Sequence, residues 1–463
     1  DNALTQRQSL GLTLGQSLTQ AQQQALKKSL VWLEYETLNG QQVLVPKVYW
    51  AHNPAVASAI TAAHIDLNAT TLNNSAAIAA KNHLSITTQK SLNNLNGSLQ
   101  SQQTLRLNSQ GDLNNRSGTI TAKDRLDLQV QGTLNNSALK QTHAITQTSK
   151  ASLFNESITT TVGELTRTGA KSRIQAGQIN IQAQTYKAQG SHTQSTQGDV
   201  NIVANAIDIG TQAQTLRYDT KQVQLHQNTS ITSALQSARN INLTATTATL
   251  TATAVQAQNN LQIHSQKLNL LSALDSLYAQ IKTKQKGWLG SSQTTRTLSQ
   301  QTHQRNHLQA RNISLLATYG IEDYATQYEA RNRIDFIASQ GAIHQYGVKN
   351  SFYKSLSSQS SNVATKTMHN EGEQRQTIQT VNLKAQKVHY RAKEGITYEL
   401  SKAQSQALNL QAQKKKERQS SNKDAKAPGP KQSFEDLQSQ HQITRNLTQQ
   451  LHQNPQLFQD LLG

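Results

Sequence analysis

Apolar residues follow two periods along the middle of this chain. Pairs of Leu or Ile enclose a single polar residue, which is the alternation expected of a half-buried β-strand. These pairs return every 21 residues, at Leu84/Ile86, Leu105/Leu107 and Leu126/Leu128. The pattern predicts short strands that occupy the same place in successive repeats.

The tripeptide Leu-Asn-Asn marks the same repeat. It begins at Leu72, Leu92, Leu113 and Leu134, and turn-forming Asn, Gly, Asp and Ser residues separate the strands. A unit this short cannot bury its own inward side chains, but stacked coils cover one another. We therefore predict an all-β fold, a right-handed parallel β-helix, with a structural asparagine ladder at Asn73, Asn93, Asn114 and Asn135.

The pattern loosens after residue 140 but continues. Inward pairs are predicted at Ile179/Ile181, Val200/Ile202, Ile241/Leu243, Leu261/Ile263, Ile313/Leu315 and Ile334/Phe336. Stretches rich in Thr, Ser and Gln, such as 142–172 and 283–310, lie between them. We expect these stretches to leave the coil as longer strands or loops, so that residues 51–140 and 141–410 form a regular and a less regular β-helix.

Both ends of the chain depart from the repeat. Within residues 1–50, Thr19 followed by Gln22 forms a capping-box pattern, which predicts a short helix over 20–30. The Asn39-Gly40 pair between two apolar runs predicts a β-hairpin. Residues 411–432 are charged and contain Pro and Gly, which favours a linker, and a weak helical pattern over 433–463 predicts a short C-terminal helical region.

Composition limits the chemistry available. The chain contains no Cys, so disulfides, thiolate metal sites and thiol nucleophiles are excluded. Its formal net charge is +19, and most of the excess lies in 141–410, where 26 Lys and Arg face 14 Asp and Glu. Such a field favours anionic partners, among them lipopolysaccharide, sulfated glycans and nucleic acid, although it also serves to keep a long protein soluble.

Three sequence blocks carry a family resemblance. They are VWLEYETLNGQQVLVPKVYWA, the Leu-Asn-Asn repeats with ITAKDRLDL, and KQKGWLGSSQTTRT followed by HLQARNISLLAT. Their order resembles filamentous hemagglutinins and contact-dependent growth-inhibition effectors of the CdiA type. The resemblance covers roughly residues 10–410 and implies hemagglutinin repeats of both types, with a pretoxin-like region starting at 433.

The resemblance implies a two-partner-secreted exoprotein on the surface of a Gram-negative bacterium, exported by a TpsB-type outer-membrane transporter. It further implies a structural shaft that interacts with the target-cell outer membrane, or with a surface receptor there, while a C-terminal toxin is delivered. The alternative is a filamentous adhesin that binds anionic glycans or lipopolysaccharide through a basic face. Neither interpretation requires nucleic acid as a partner, and in neither is the shaft an enzyme.

One stretch stands out as a candidate site. On a strand, Lys282, Lys284 and Lys286 would face the same side, next to Trp288. This stripe is interpreted either as a solvated face or as a site for phosphate or sulfate groups.

Other candidate chemistry is weak. His303 and His307 have helical metal-ligand spacing but lie in a predicted loop, so we predict no metal site. Glu322 and Asp323 would point to opposite faces of a strand, which predicts a solvated edge rather than an acid/base pair. We predict no catalytic residues and no cofactor.

Overall fold

The computed structural model describes residues 30–399 except 39–40, 50–58, 151–156, 289 and 363–364, together with some residues between 7 and 26. The predicted linker and the predicted C-terminal helical region lie outside the described residues. The chain divides into two compact units, one comprising 59–142 and 166–423 and the other 1–58, 143–165 and 424–463.

The unit that includes the N-terminal residues contains the predicted hairpin. Its strands are β1 (Leu30–Leu38) and β2 (Gln41–Tyr49), which pair antiparallel. The indole Nε1 of Trp32 donates to the carbonyl oxygen of Gln16 at 3.1 Å, so the segment before the hairpin lies against it. Trp32 packs in a small buried cluster with Leu12, Leu18 and Leu26.

The predicted N-terminal helix is not seen among the described residues. The capping-box hydrogen bonds are present, since the amide of Thr19 donates to Gln22 Oε1 at 2.9 Å and the amide of Gln22 donates to Thr19 Oγ1 at 3.3 Å. Gln22 itself has a helical conformation, but most of residues 20–30 lie outside the described part of the chain.

The remaining strands follow in chain order. They are β3 (Ala59–Asn74), β4 (Ala77–Leu95), β5 (Ser98–Ser101), β6 (Thr104–Ser109), β7 (Asp112–Arg116), β8 (Thr119–Ala122), β9 (Arg125–Ser137), β10 (Lys140–Lys150), β11 (Ser157–Thr168), β12 (Ser172–Ala176), β13 (Gln178–Gln189), β14 (Ser191–Ser195), β15 (Val200–Gly210), β16 (Gln212–Asp219) and β17 (Val223–Ile231). They continue with β18 (Ala234–Ser237), β19 (Ile241–Thr251), β20 (Ala254–Ala257), β21 (Asn260–Leu271), β22 (Ala273–Gly287), β23 (Gly290–Gln304), β24 (His307–Tyr324), β25 (Gln327–Ala338), β26 (Ala342–Tyr346), β27 (Val348–Asn362), β28 (Lys366–Gln379), β29 (Asn382–Lys384), β30 (Lys387–Ala392) and β31 (Gly395–Glu399).

The second unit is a parallel β-helix, as predicted. Each strand of a coil pairs in parallel with the strand one coil earlier, so that Ile78 pairs with Leu99 and Leu99 with Ile120. Ile120 then pairs with Ile174, because the chain leaves the coil between them and returns in register. Hydrogen bonds between coils set a rise of about 4.8 Å per coil.

The core is one continuous column of inward side chains from Ile65 to Val381. The predicted inward pairs between residues 179 and 336 are all buried, with exposures of 0% to 2%. Strand alternation explains this, because every second residue points into the helix and is covered by the coils above and below.

Two asparagine ladders run along the first coils. In the predicted outer ladder, Asn93 Nδ2 donates to Asn73 Oδ1 at 2.8 Å and Asn114 Nδ2 donates to Asn93 Oδ1 at 2.9 Å, but Asn135 does not continue the ladder, since its Oδ1 has no hydrogen-bond partner. The inner ladder consists of buried residues joined by three Nδ2 to Oδ1 hydrogen bonds of 2.8 Å each, namely Asn74, Asn94, Asn115 and Asn136. The second Asn of each tripeptide therefore lies inside the helix.

The inner ladder explains the glycines that follow the tripeptides. A Cβ on Gly118 would lie 2.4 Å from Asn115 Oδ1, and one on Gly97 would lie 2.5 Å from Asn94 Oδ1. The residue before each of these glycines has positive φ, 55° at Asn96 and 49° at Ser117. The coil thus turns its corner through one left-handed residue, with the glycine making room for the ladder.

The same corner is where the chain leaves the coil, after β9, β15, β21 and β26. The last three excursions are the hairpins β16–β17, β22–β23 and β27–β28, which pair edge to edge in that order as one antiparallel sheet, the side sheet. A hairpin leaves after every second coil and adds two strands. Because the spacing between strands is about 4.8 Å in both structures, the side sheet and the β-helix grow at the same rate.

Candidate interaction surface

The predicted lysine stripe lies on one of the two long hairpins, or arms, of the side sheet, β22–β23. β22 begins at Ala273, next to the end of a coil, and runs for 15 residues, which corresponds to about 50 Å. Lys282, Lys284 and Lys286 occupy its outer half and are all exposed. Strand alternation places the three on one face of the sheet.

The arm ends in a tight turn. Gly287 pairs with Gly290, so only two residues join β22 to β23. The first of them is Trp288, whose side chain is 96% exposed. The structure therefore brings Trp288 to the tip of the arm that carries the lysines.

Neighbouring strands extend this surface in register. Lys286 lies opposite Ser291, which lies opposite Ser361, which lies opposite Lys366. Two residues further in, and therefore on the same face, Lys284, Gln293, Gln359 and Met368 follow one another across the same four strands. Lys366 and Met368 join the predicted site through pairing of β23 with β27, which no local sequence pattern reveals.

The outer part of the side sheet has charge of a single sign. The row of Lys282, Thr295, Ser357 and Asn370 is the innermost row without an acidic residue, and residues 282–295 and 357–370 contain Lys282, Lys284, Lys286 and Lys366, and no Asp or Glu. The first acidic residues occur closer to the coils, at Glu371 and Glu373, where Glu373 pairs with Arg375. We call this acid-free outer part the distal surface.

The inner part of the sheet compensates its own charge. The guanidinium Nε of Arg217 donates to Asp219 at 2.7 Å, and His226 Nε2 lies 2.7 Å from the other oxygen of the same carboxylate. The bond from Arg217 and the interaction with His226 lower the pKa of Asp219. Within the described part of the sheet, cations and carboxylates are therefore mixed near the coils, whereas the distal surface carries Lys without Asp or Glu.

His303 and His307 lie on strands, so the expectation of a loop was wrong. His303 lies on β23, where Ser272 Oγ is 2.9 Å from its Nδ1, and burial lowers its pKa. His307 begins β24, and its Nε2 is 3.7 Å from Glu329. Across the described residues, no three His, Cys, Asp or Glu side chains are grouped to hold a metal ion.

The expectation of a solvated edge at Glu322 and Asp323 was also wrong for one of the pair. Glu322 faces outward near Lys267, whereas Asp323 is fully buried. Asp323 stacks between Leu270 and Gln345 in the inward column that the inner asparagine ladder occupies in the first coils. Period-two alternation from Ile321 would have placed Asp323 inside, so the signal was present in the sequence.

A hydrogen-bond network surrounds the buried carboxylate. Tyr328 Oη donates to Asp323 Oδ2 at 2.7 Å, and the amide of Thr326 donates to Oδ1 at 3.2 Å. Gln345 connects this network to Tyr390, whose Oη donates to Gln345 Oε1 at 3.0 Å. Burial outweighs these hydrogen bonds and raises the pKa of Asp323 to about 6.

Within the part of the chain that the structure describes, no helix has the length and apolarity needed to cross a membrane.

Part of the chain is similar to curated toxin proteins. The 16S rRNA endonuclease CdiA of Enterobacter cloacae is 41% identical over 103 residues. Toxin CdiA of Escherichia coli is 40% identical over 106 residues, and the tRNA nuclease CdiA of Yersinia mollaretii 37% over 102 residues. About a fifth of this chain is CdiA-like.

The CdiA-like stretch is a small share of those relatives. Each match covers 21% of this chain and 3% of the relative. No family model matches the chain, and no solved structure matches it either. The comparisons therefore identify a CdiA-like segment, and the repeat types expected from the sequence remain predictions.

Proposed function

We propose that this chain is the shaft of a secreted, CdiA-like exoprotein on the surface of a Gram-negative bacterium, and that its side sheet contacts the outer membrane of a target cell during delivery of a C-terminal toxin. The observation that carries the proposal is the distal surface, a cationic region held roughly 30 to 50 Å from the coils by paired strands. The CdiA-like stretch supports the assignment to contact-dependent growth inhibition. The shaft performs no catalysis in this proposal.

The geometry suits contact with an anionic cell surface. The coils supply a stiff scaffold, because each coil is hydrogen-bonded to its neighbours along its strands. The side sheet presents four lysines and no carboxylate at its outer part, so that it attracts a negatively charged surface over about one Debye length. Export through a TpsB-type transporter and binding to a surface receptor belong to the same proposal.

A trimmed variant of the 463-residue chain tests this function. Residues 283–294 and 358–369 are each replaced by Asn-Gly, since Lys282 pairs with Thr295, Thr295 with Ser357 and Ser357 with Asn370 in one row. Both hairpins then end at the same level, and the coils remain intact. Binding of the fluorescently labelled chain to Gram-negative cells should fall to background in the trimmed variant.

The control uses a chain of normal length in which exposed lysines of the coils, Lys81, Lys90 and Lys123, are changed to Gln. This variant should bind cells as the wild type does. Equal binding by the trimmed and wild-type chains would contradict the proposal. The adhesin alternative would be favoured if a soluble sulfated polymer abolished cell binding and if binding did not depend on the outer membrane of the cell.

A further inference from the structure

We infer that the end of the side sheet is an interfacial anchor for a lipid surface with anionic headgroups. Trp288 and Met368 supply the apolar contacts, and Lys284, Lys286 and Lys366 contact the headgroups. This inference rests on the proposed function, because it names the chemistry that the distal surface recognises on the target cell.

The first observation is the exposure of large apolar side chains at the end of an arm. Trp288 is 96% exposed and Met368 is 66% exposed, although both belong to paired hairpins. Packing within the β-helix gives no reason for either residue, since both lie at the outer end of the side sheet. A Trp side chain has an apolar body with a polar N–H, which is the combination that favours a membrane–water interface.

The second observation is the position of the lysines around these residues. Lys286 and Lys366 terminate the same row of the sheet and are separated by Ser291 and Ser361, a distance of about 14 Å across three strand spacings. Lys284 and Met368 terminate the next row on the same face of the sheet. The apolar side chains are thus flanked by ammonium groups on flexible stems, which can reach headgroups while their methylenes stay near the apolar contact.

Charge selects the kind of lipid. Residues 282–295 and 357–370, which form the outer rows of the sheet, carry no carboxylate that would repel phosphate groups. Each Lys near an anionic lipid surface strengthens binding by roughly a factor of five. A soluble anionic polymer would need only the lysines, whereas a lipid surface also accounts for the exposed Trp and Met.

The test uses the 463-residue chain and vesicles of phosphatidylcholine with or without phosphatidylglycerol. Trp288 fluorescence is isolated by subtracting the spectrum of the Trp288→Phe chain, because Trp32 and Trp50 also emit. The Trp288 emission should shift to shorter wavelength on vesicles that contain phosphatidylglycerol. Bromine-labelled acyl chains should quench this emission, which places the indole at the interface.

Substitutions then separate the two kinds of contact. The triple variant Lys284→Gln, Lys286→Gln and Lys366→Gln should bind phosphatidylglycerol vesicles about a hundredfold more weakly. The matched triple variant of Lys81, Lys90 and Lys123 should bind as the wild type does. Trp288→Ala with Met368→Ala should weaken vesicle binding and leave binding to heparin unchanged.

Several outcomes would overturn the inference. An unshifted and unquenched Trp288 emission on bound vesicles would show that the tip stays in water. Equal vesicle binding by the wild-type and Trp288→Ala/Met368→Ala chains would assign binding to charge alone, and tight heparin binding without vesicle binding would assign the surface to a polymer. If vesicles are not bound but the trimmed chain still loses cell binding, the lipid inference fails while the proposed function stands.

Discussion

Replacing Asp323 with Asn should change how the stability of the coils depends on pH. The buried carboxyl of Asp323 is held by Tyr328, Thr326 and Gln345, all of them neutral groups. Two tyrosines of this network can also titrate, namely Tyr328 and Tyr390, which reaches the network through Gln345. Burial raises the pKa of Tyr390 to about 12. Because these partners are uncharged near neutral pH, the ionised form of Asp323 lacks a compensating cation there.

The magnitude follows from the shift in pKa. The folded value for Asp323 is about 6, against 3.8 for an ordinary Asp. A carboxyl group whose pKa is higher in the folded state than in the unfolded state stabilises the fold fully at pH values below its unfolded pKa, here 3.8. This stabilisation is lost as the pH rises to the folded pKa of about 6. A difference of about two pKa units corresponds to about 3 kcal/mol, or roughly a hundredfold in the opening equilibrium of the surrounding coils.

Hydrogen exchange of the Thr326 amide measures this directly, since that amide donates to Asp323 Oδ1. Protection factors of this amide are corrected for intrinsic exchange rates and compared in the two chains. The ratio of the wild-type factor to the Asp323→Asn factor should fall about a hundredfold between pH 4 and pH 7. The two chains should be most alike at the acidic end, where both carry a neutral group. A ratio of protection that stays constant with pH would refute the reasoning.

Two further pairs of substitutions, each a test variant with its control, examine the ladders of the first coils by denaturant unfolding. Gly118→Ala should destabilise the chain by about 3 kcal/mol, because the new methyl carbon would lie 2.4 Å from Asn115 Oδ1. Gly287→Ala, whose nearest neighbour would be 3.7 Å away, should change stability by less than about 0.5 kcal/mol. Asn115→Leu should cost about 4 kcal/mol, because it leaves buried partners of the inner ladder unpaired, whereas Asn114→Leu on the outer ladder should cost under about 1 kcal/mol. Similar losses within either pair would contradict the assignment.

The β-helix could be predicted because its signals are local and periodic. Alternation of period two gives the inward side chains, and the 21-residue step reveals the stacking, so that pairs such as Ile179/Ile181 were placed correctly. A departure from the coil was expected over 283–310, and the structure places it over 273–304, because residues from His307 onward already pair with β20 of the coil. The first Asn of each tripeptide was expected as the ladder, although the second Asn forms the buried one.

The side sheet could not be predicted as an assembly. Its strands are rich in Ser, Thr and Gln and carry little apolar alternation, and the pairing of β23 with β27 joins residues from hairpins two coils apart. That register depends on where each hairpin leaves the coil, which is a property of the folded helix. For this reason Lys282, Lys284, Lys286 and Trp288 were found in sequence, whereas Lys366 and Met368 were not.

The most direct test of the account is a growth competition between producing bacteria and target cells that lack immunity. Producers carry either the intact gene for this chain in its genomic context or the version with 283–294 and 358–369 each replaced by Asn-Gly. The account predicts equal surface display of the two proteins, inhibition of target growth by the intact form, and loss of inhibition in the trimmed form. Full inhibition by the trimmed form would show that the side sheet is not the contact surface, and the absence of inhibition by either form would contradict the role in toxin delivery.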